Sequence, residues 1–353
     1  MDIRTLPLTA DQLKPVQPPT GFGNVFCNRM FMQDYTTESG WHNARIEPYG
    51  PIQLDPAATV LHYGQEIFEG TKAYRRPDGR VNLFRPWENA ARFNRSALRM
   101  AMPQIDAEDH VQAMCALVTA ELDWVPSTEG TSLYIRPTMI ATQAHLGVSA
   151  SDRYLHYIIA GPVGGFQGRA FGPVAVFISD EHVRAVKGGT GAAKTGGNYA
   201  ASLFASGLAR QQGYQQVLWL DGVHRRYVEE VGGMNIAFVH GREIITPALS
   251  GSILEGITRD SVVRLAPDLG YAIREEQIDV NDLLKQIDAG TISESFGIGT
   301  AAVIAPVNRF GYQGTDYKVG DGNVGPVTRH LHTALTDLQY GRSTDPYGWT
   351  LTL

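Results

Sequence analysis

Cysteine is nearly absent from this 353-residue chain: only Cys27 and Cys115 occur, far apart in sequence. Two such residues can build neither a disulfide framework nor a cysteine-based zinc site, and no metal site is expected. Their scarcity suits a reducing compartment. Basic runs are missing as well. The formal net charge is −6, and without clustered Lys and Arg there is no electrostatic footprint for nucleic acid. No apolar run approaches the roughly 20 residues that a membrane helix needs. The stretch from Met1 to Pro19 is polar and proline-rich, without the apolar segment of a secretion signal. The chain reads as a cytoplasmic protein with neither a nucleic-acid nor a membrane partner. No internal repeat is visible.

What is present is ordinary for a globular protein. Apolar residues make up 43% and charged residues 19%, a balance that argues against disorder. At roughly 150 residues per domain the length suggests about two domains, enough for a sizeable core and a deep ligand cleft. The clearest seam is GPVGGFQGRAFGP, Gly161–Pro173. Its five glycines and two prolines are expected to sustain neither helix nor strand. The predicted division is a small N-terminal α/β domain over residues 1–165, a linker over 166–175 and a large C-terminal domain over 176–353.

Patterning fills in the elements. Val81–Phe84 reads as a strand, followed by a helix to about Met100 with Pro86 in its first turn. Trp87, Ala91 and Leu98 are its expected apolar stripe. Val111–Leu122 predicts a second amphipathic helix, and Ser132–Arg136 and Tyr154–Ala160 predict strands. Further on, Val174–Ser179 is a strand, and a helix follows from about Tyr199 with Asn198 as N-cap. Val217–Leu220, Tyr227–Val231 and Asn235–Val239 are strands, with a turn at His240-Gly241. Ile257–Leu265 is helical and Gly299–Val307 is an apolar strand. Alternating strands and helices imply an α/β or α+β chain of two lobes.

GGTGAAKTGGNY, Gly188 to Tyr199, is the most informative stretch. Small neighbours leave the Lys194 amine open to close approach, as cofactor chemistry at a lysine requires. Taken alone, the segment serves equally as a solvated surface loop. It also approximates a nucleotide-binding P-loop, with Ala193 replacing the final glycine. Gly196-Gly197 should break the helix that a P-loop opens at its lysine, which removes the phosphate-cradling helix N-terminus. VLWLD, Val217–Asp221, would be the matching second nucleotide motif, but short apolar strands ending in Asp are common.

The same loop joins other stretches into a pattern. In order these are LHYGQEIFEGTKAY (Leu61–Tyr74), FRPWENAARFNRSALRM (Phe84–Met100), GTSLYIRP (Gly130–Pro137), EEVGGMNIAF (Glu229–Phe238), GSILEGITRDSV (Gly251–Val262) and FGIGTAAVIAPV (Phe296–Val307). They span nearly the whole chain. The set resembles the fold-type IV aminotransferases, which share the two-lobed D-amino-acid-aminotransferase-like architecture, and within them the branched-chain amino-acid aminotransferases. The resemblance implies pyridoxal 5′-phosphate in an interdomain cleft, and a homodimer in which the Leu146-Gly147-Val148 loop reaches the partner's pocket. It implies ping-pong exchange between leucine, isoleucine or valine and 2-oxoglutarate, so the partners are small amino acids and 2-oxo acids. A D-amino-acid transaminase or an aminodeoxychorismate-lyase-like enzyme is the alternative within the fold. Those chains tend to be shorter and lack the extended LHYGQEIFEG and FRPWEN patterns.

Each residue role carried by the resemblance can be weighed physically. Lys194 is similar to the lysine that binds the cofactor and then serves as general base and acid. Tyr199 resembles the tyrosine on the cofactor's phenolic oxygen. Glu230 resembles the carboxylate that pairs with the pyridine nitrogen. Strand alternation puts Val228 and Glu230 on one face, so Glu230 is expected inside and Glu229 in solvent. Arg92 is similar to the phosphate arginine; otherwise it would be an exposed helix residue paired with Glu88. Ile257 and Thr258 open a helix whose N–H groups form a ready anion site, and Thr300 would add a hydroxyl. Leu254 resembles the residue packed on the cofactor ring. Tyr63, Phe68, Tyr134 and Arg136 resemble the residues lining the substrate side-chain pocket, and Met234 would contact that side chain. Thr300 and Ala301 resemble the turn that receives the α-carboxylate. Two departures stand out. Ala302 and Ala305 occupy positions where some members carry a CxxC pair, which excludes redox control there. Gly233 replaces a hydroxyl residue found in others.

Overall fold

The computed structural model describes residues 1–164 and 171–353. Residues 166–170 of the expected linker lie outside them. The described chain groups into two compact units. One takes residues 1–164, 193–196 and 337–353, and the other takes 171–192 and 197–336.

The chain begins with β1 (Arg4–Thr5), β2 (Arg29–Thr36), β3 (Gly40–Pro48), α1 (Thr59–Tyr63), β4 (Glu66–Phe68), β5 (Thr71–Arg75) and β6 (Val81–Phe84). Helices α2 (Pro86–Arg99) and α3 (Ala107–Ala120) come next, then strands β7 (Ser132–Ala141) and β8 (Arg153–Val163). After the undescribed residues follow β9 (Val174–Ser179), α4 (Gly196–Ala200), α5 (Leu203–Gln211), β10 (Gln216–Leu220), β11 (Val228–Val231), β12 (Asn235–His240) and β13 (Glu243–Pro247). The remainder is α6 (Ile257–Asp268), β14 (Ala272–Glu276), α7 (Val280–Asp288), β15 (Glu294–Gly299), β16 (Val303–Tyr312), β17 (Thr315–Lys318), α8 (Pro326–Gln339) and β18 (Thr350–Thr352).

The first unit is built on a sheet ordered β1-β3-β2-β8-β7-β5-β6-β18, with β4 paired to β7. Strand alternation gives this sheet two different faces. Leu133, Ile135, Ala73, Leu83, Ile158 and Ala160 join Val111, Met114, Leu117 and Val118 of α3 in one buried cluster. The alternate residues of β7, Tyr134, Arg136 and Thr138, lie on the opposite face. Their register partners there are Lys72 beside Tyr134, and Phe68 and Tyr157 beside Thr138. Glu66 shares that face, two residues before Phe68 on β4. An aromatic and charged surface thus backs onto an apolar core.

The second unit is a mixed sheet ordered β11-β10-β9-β16-β15-β12-β13-β14, with β17 on β16. β9 runs parallel to both β10 and β16. α5 packs Ala205 and Ala209 onto Val217 and Trp219 of β10. Both units mix strands and helices, as the pattern of the sequence predicts.

Four local expectations need correction. Gly161, Pro162 and Val163 belong to β8. Pairing of β8 with β2 ends at Ile158, so Pro162 withholds no ladder donor from that neighbour. A Cβ on Gly161 would lie 2.0 Å from the Val25 carbonyl oxygen; glycine is there for close approach, not for a break. On α2, Trp87, Ala91 and Leu98 are exposed. The buried face is Pro86, Asn89, Ala90, Arg92, Phe93, Ser96 and Ala97, whose polar members hide the apolar period. Asn198 is no N-cap, because it lies inside α4. Finally, Gly299–Val307 is a hairpin: β15 ends at Gly299 and β16 starts at Val303.

Candidate active site

In the first unit, Lys194 is held by its backbone. Its N–H donates to Ser96 Oγ of α2 at 2.9 Å, and its carbonyl accepts from the Phe68 N–H at 3.0 Å. Two residues on, the Gly196 N–H donates to the Glu66 carboxylate. A segment pinned at three points in so short a stretch is not a loose surface loop. The Lys194 ammonium sits 4.8 Å from the centroid of the Phe68 ring, a cation–π contact. The helix expected to break at Gly196-Gly197 in fact starts at Gly196. The departure from a P-loop lies elsewhere: β9 ends at Ser179, well before the lysine, and α4 has only five residues.

Arg136 stands against the same Phe68 ring, its guanidinium 4.6 Å from the centroid. It donates to the Tyr134 hydroxyl at 2.8 Å. Its Nε is buried without a hydrogen-bond partner among the described residues, and no described carboxylate forms an ion pair with it. Tyr134 meets Phe22 edge-on at 4.7 Å. Gly70 makes room for its hydroxyl, since a Cβ there would lie 2.0 Å away. Tyr63 is more exposed, and its hydroxyl donates to the Leu146 carbonyl. Arg92 is buried and bidentate on Glu69, at 2.7 and 2.8 Å. The exposed pairing of Arg92 with Glu88 does not form; Glu88 pairs with Arg85 instead.

In the second unit, both carboxylates of β11 are buried, which corrects the expectation that Glu229 faces solvent: Glu229 is 4% and Glu230 3% exposed. They serve different neighbours. Glu230 accepts the Leu254 N–H at 2.5 Å and lies 3.2 Å from the buried Arg184 guanidinium. Glu229 accepts from the hydroxyls of Ser250 and Ser252. Burial pushes the Glu229 carboxyl above the ordinary carboxylate range, against the pull of Ser252 and Ser250. Arg184 also donates to the carbonyls of Gly191 and Ser252, tying the glycine-rich loop to the segment before α6. Asn198 and Thr190 close the loop reciprocally, at 2.7 and 2.8 Å.

Tyr199 packs beside Gly233, where a Cβ would sit 3.4 Å from its ring. α6 starts at Ile257 with Gly256 as N-cap and no side-chain cap, and Ile257 and Thr258 are buried. Gly256 lets the turn close, since a Cβ would be 1.9 Å from Asn235 Oδ1. Asn235 in turn donates to the Leu254 carbonyl at 3.0 Å. Thr300 and Ala301 form the turn between β15 and β16. Met234 is buried against Gly297 and Gly299.

These groups fit the cofactor that the resemblance implies. A primary amine sits in a small-residue segment, a buried carboxylate beside an arginine can face a ring cation, and a helix start without a side-chain cap suits a phosphate. Ser96, Glu66, Glu69, Arg184 and Asn235 are not marked in the sequence. Each acts across a separation in the chain, 130 residues for Glu66 and Gly196, and no local motif signals such a contact.

Residues 66–310 match the family described as amino-transferase class IV. The branched-chain-amino-acid transaminase 1 of Bacillus subtilis (strain 168) is 50% identical over 339 residues, 96% of this chain and 95% of that one. The branched-chain-amino-acid aminotransferase of Mycolicibacterium smegmatis is 48% identical over 350 residues, 98% of this chain and 95% of its own. Among solved structures, a T.th. branched-chain amino acid aminotransferase with pyridoxamine 5′-phosphate matches with a TM-score of 0.77 at 28% identity, covering 93% of this chain and 99% of that one.

Proposed function

The chain belongs to the class-IV aminotransferase family, and on that premise we propose that it moves the amino group of leucine, isoleucine or valine to 2-oxoglutarate. The products are the branched-chain 2-oxo acid and glutamate. Pyridoxal phosphate, when bound, supplies a ring that withdraws electrons from the substrate's α-carbon. Lys194 carries it and moves the proton at that carbon with its Nζ. Glu230 holds a negative charge at the ring nitrogen, with Arg184 keeping that carboxylate oriented. Arg92, the N–H groups of Ile257 and Thr258, and Thr300 hold the phosphate. Tyr199 hydrogen-bonds the phenolic oxygen, and Leu254 covers the ring.

Tyr63, Phe68 and Tyr134 line the substrate side chain, with Met234 contributing a flexible thioether. The N–H groups of Thr300 and Ala301 take the α-carboxylate. Arg136 receives the distal carboxylate of glutamate and 2-oxoglutarate. The observation that carries this reading is the surface at Lys194, where Phe68 and Tyr134 flank a guanidinium paired with no described carboxylate. Such a surface accepts an aliphatic chain and still offers a charge-assisted hydrogen bond to an acid.

We place the domain boundary within 166–175 and assign cofactor binding to the C-terminal domain over 176–353, of which residues 193–196 and 337–353 group with the first unit. The enzyme is read as a cytoplasmic homodimer, with the exposed Leu146 and Val148 reaching the partner. No helix among the described residues is long and apolar enough to cross a membrane. Borohydride reduction of the yellow holoenzyme followed by peptide mapping should place the pyridoxyl label on Lys194, and an amino-donor panel with 2-oxoglutarate should favour leucine, isoleucine and valine. A label on Lys187 or Lys285, or a preference for D-amino acids, overturns the reading.

A further inference from the structure

Glu66 has no part in the function just described, yet its carboxylate lies on the substrate face of the first sheet. It shares that face of β4 with Phe68, and Phe68 is the ring beneath both Arg136 and Lys194. Its one hydrogen bond among the described residues comes from the Gly196 N–H. The fit is close: a Cβ on Gly196 would stand 2.0 Å from Glu66 Oε1. The charged and titratable groups around it are Arg136 on β7, Tyr157 on β8 and the Lys194 ammonium across the Phe68 ring. Glu66 and Arg136 make no ion pair, but the Arg136 charge acts on the Glu66 carboxyl. Burial raises the Glu66 carboxyl above its ordinary range, and Arg136 pulls it down by less.

The charge balance of this face depends on the substrate. With a branched-chain side chain present, one carboxylate and one guanidinium offset each other. A dicarboxylate adds a second anion beside the same guanidinium. In the holoenzyme Lys194 is engaged with the cofactor, so two half-buried carboxylates share the one guanidinium; they cannot both stay ionised cheaply, and one takes a proton. Glu66 is the one anchored in the protein, with only a backbone donor and no cation of its own.

We propose that Glu66 is a specificity-determining residue that takes up a proton when a dicarboxylate substrate binds and stays ionised when a branched-chain substrate binds. This rests on Arg136 being the receptor for the distal carboxylate. It gives the enzyme one surface with two charge states, each matched to one of its two substrate classes. Because a proton accompanies only the dicarboxylate, affinity for 2-oxoglutarate falls as pH rises above the Glu66 value, while affinity for the branched-chain 2-oxo acid does not follow.

The test is calorimetric binding to the pyridoxal-form holoenzyme, which cannot transaminate a 2-oxo acid. 2-Oxoglutarate and 4-methyl-2-oxopentanoate are titrated at pH 8 in two buffers of different ionisation enthalpy. The wild type should take up about one proton more with the dicarboxylate. Glu66→Gln, which keeps an acceptor for Gly196, should abolish that difference. It should also lower the KM for 2-oxoglutarate at pH 8 by about fivefold and raise that for leucine, whose side chain then meets a guanidinium with no charge offsetting it. Arg136→Met, measured in parallel, should raise the KM for the dicarboxylates far more than for leucine. Equal losses for both classes would overturn the Arg136 reading itself. A selective loss in Arg136→Met, with equal proton uptake for both ligands in the wild type, overturns the role of Glu66 alone. The wild-type proton count decides the matter even where Glu66→Gln fails to fold.

Discussion

Glu229 and Glu230 are neighbours in sequence, equally buried, and held by opposite kinds of partner. Glu230 lies 3.2 Å from the Arg184 guanidinium, whereas the Ser250 and Ser252 hydroxyls donate to Glu229, whose carboxyl burial raises against those hydroxyls and the Arg184 charge. A glutamine at 229 keeps an oxygen for Ser250 and Ser252. A glutamine at 230 removes the negative charge that faces Arg184. Glu230→Gln should therefore retain the cofactor and lower kcat by orders of magnitude, while Glu229→Gln stays within about tenfold. Single-turnover kinetics with leucine separate the two, and the reverse pattern would put Glu229 at the ring nitrogen. Lys194 is legible in the sequence because its glycine and alanine neighbours are local. That Ser96, 98 residues away, anchors that lysine is not, because a serine inside a helix carries no mark of its partner. Arg184 is equally silent. Its value depends on three segments, β11, the glycine-rich loop and the turn before α6, that meet only in the folded chain.

At the scale of elements, α8 shows how a strand can start a helix. Glu294 on β15 is buried, and its carboxylate accepts the N–H groups of Val327 and Thr328 at 3.0 and 2.8 Å and the Thr328 hydroxyl at 2.6 Å. The negative charge faces the positive end of the helix dipole. Glu294→Gln turns charge-assisted bonds into neutral ones and points an amide donor at other donors. Thermal unfolding should report a loss of roughly 1–3 kcal/mol, and an unchanged midpoint would mean that hydrogen-bond shape alone suffices. Strands such as Val174–Ser179 are legible in sequence with correct bounds, because short runs of β-branched residues between turn formers have few alternatives. Sequence places α2 correctly along the chain but rotates it wrongly. Its inner face spends Asn89, Arg92 and Ser96 on hydrogen bonds to Arg85, Glu69 and Lys194, so a search for apolar period selects the outer face. β8 is cut short for a related reason: a glycine chosen for close approach looks, in sequence, like a glycine chosen for a turn.

For the whole molecule, the interior of the first unit predicts the response to acid. His110 and His156 stack at 5.1 Å among Phe31, Phe93 and Trp41, and none of their ring nitrogens has a hydrogen-bond partner among the described residues. Burial lowers His110 to about 4 and His156 well below its ordinary value. Between the unfolded value of about 6.5 and these lower ones, the unfolded chain binds protons that the folded chain refuses. Stability is thus full above about 6.5 and declines as pH falls, by up to about 1.4 kcal/mol per pH unit for each ring. Denaturant midpoints at pH 7.5 and 5 measure the slope, and His110→Phe should make it shallower; an equal slope would assign the acid loss to carboxylates. The grouping of residues 193–196 with the first unit has a consequence for protein engineering. A gene divided at the glycine-rich seam would place Lys194 on the second fragment and its anchors Ser96, Phe68 and Glu66 on the first. Neither half expressed alone would possess a presented amine. Such halves would regain colour only when mixed, which makes this enzyme a natural candidate for a complementation reporter read by eye.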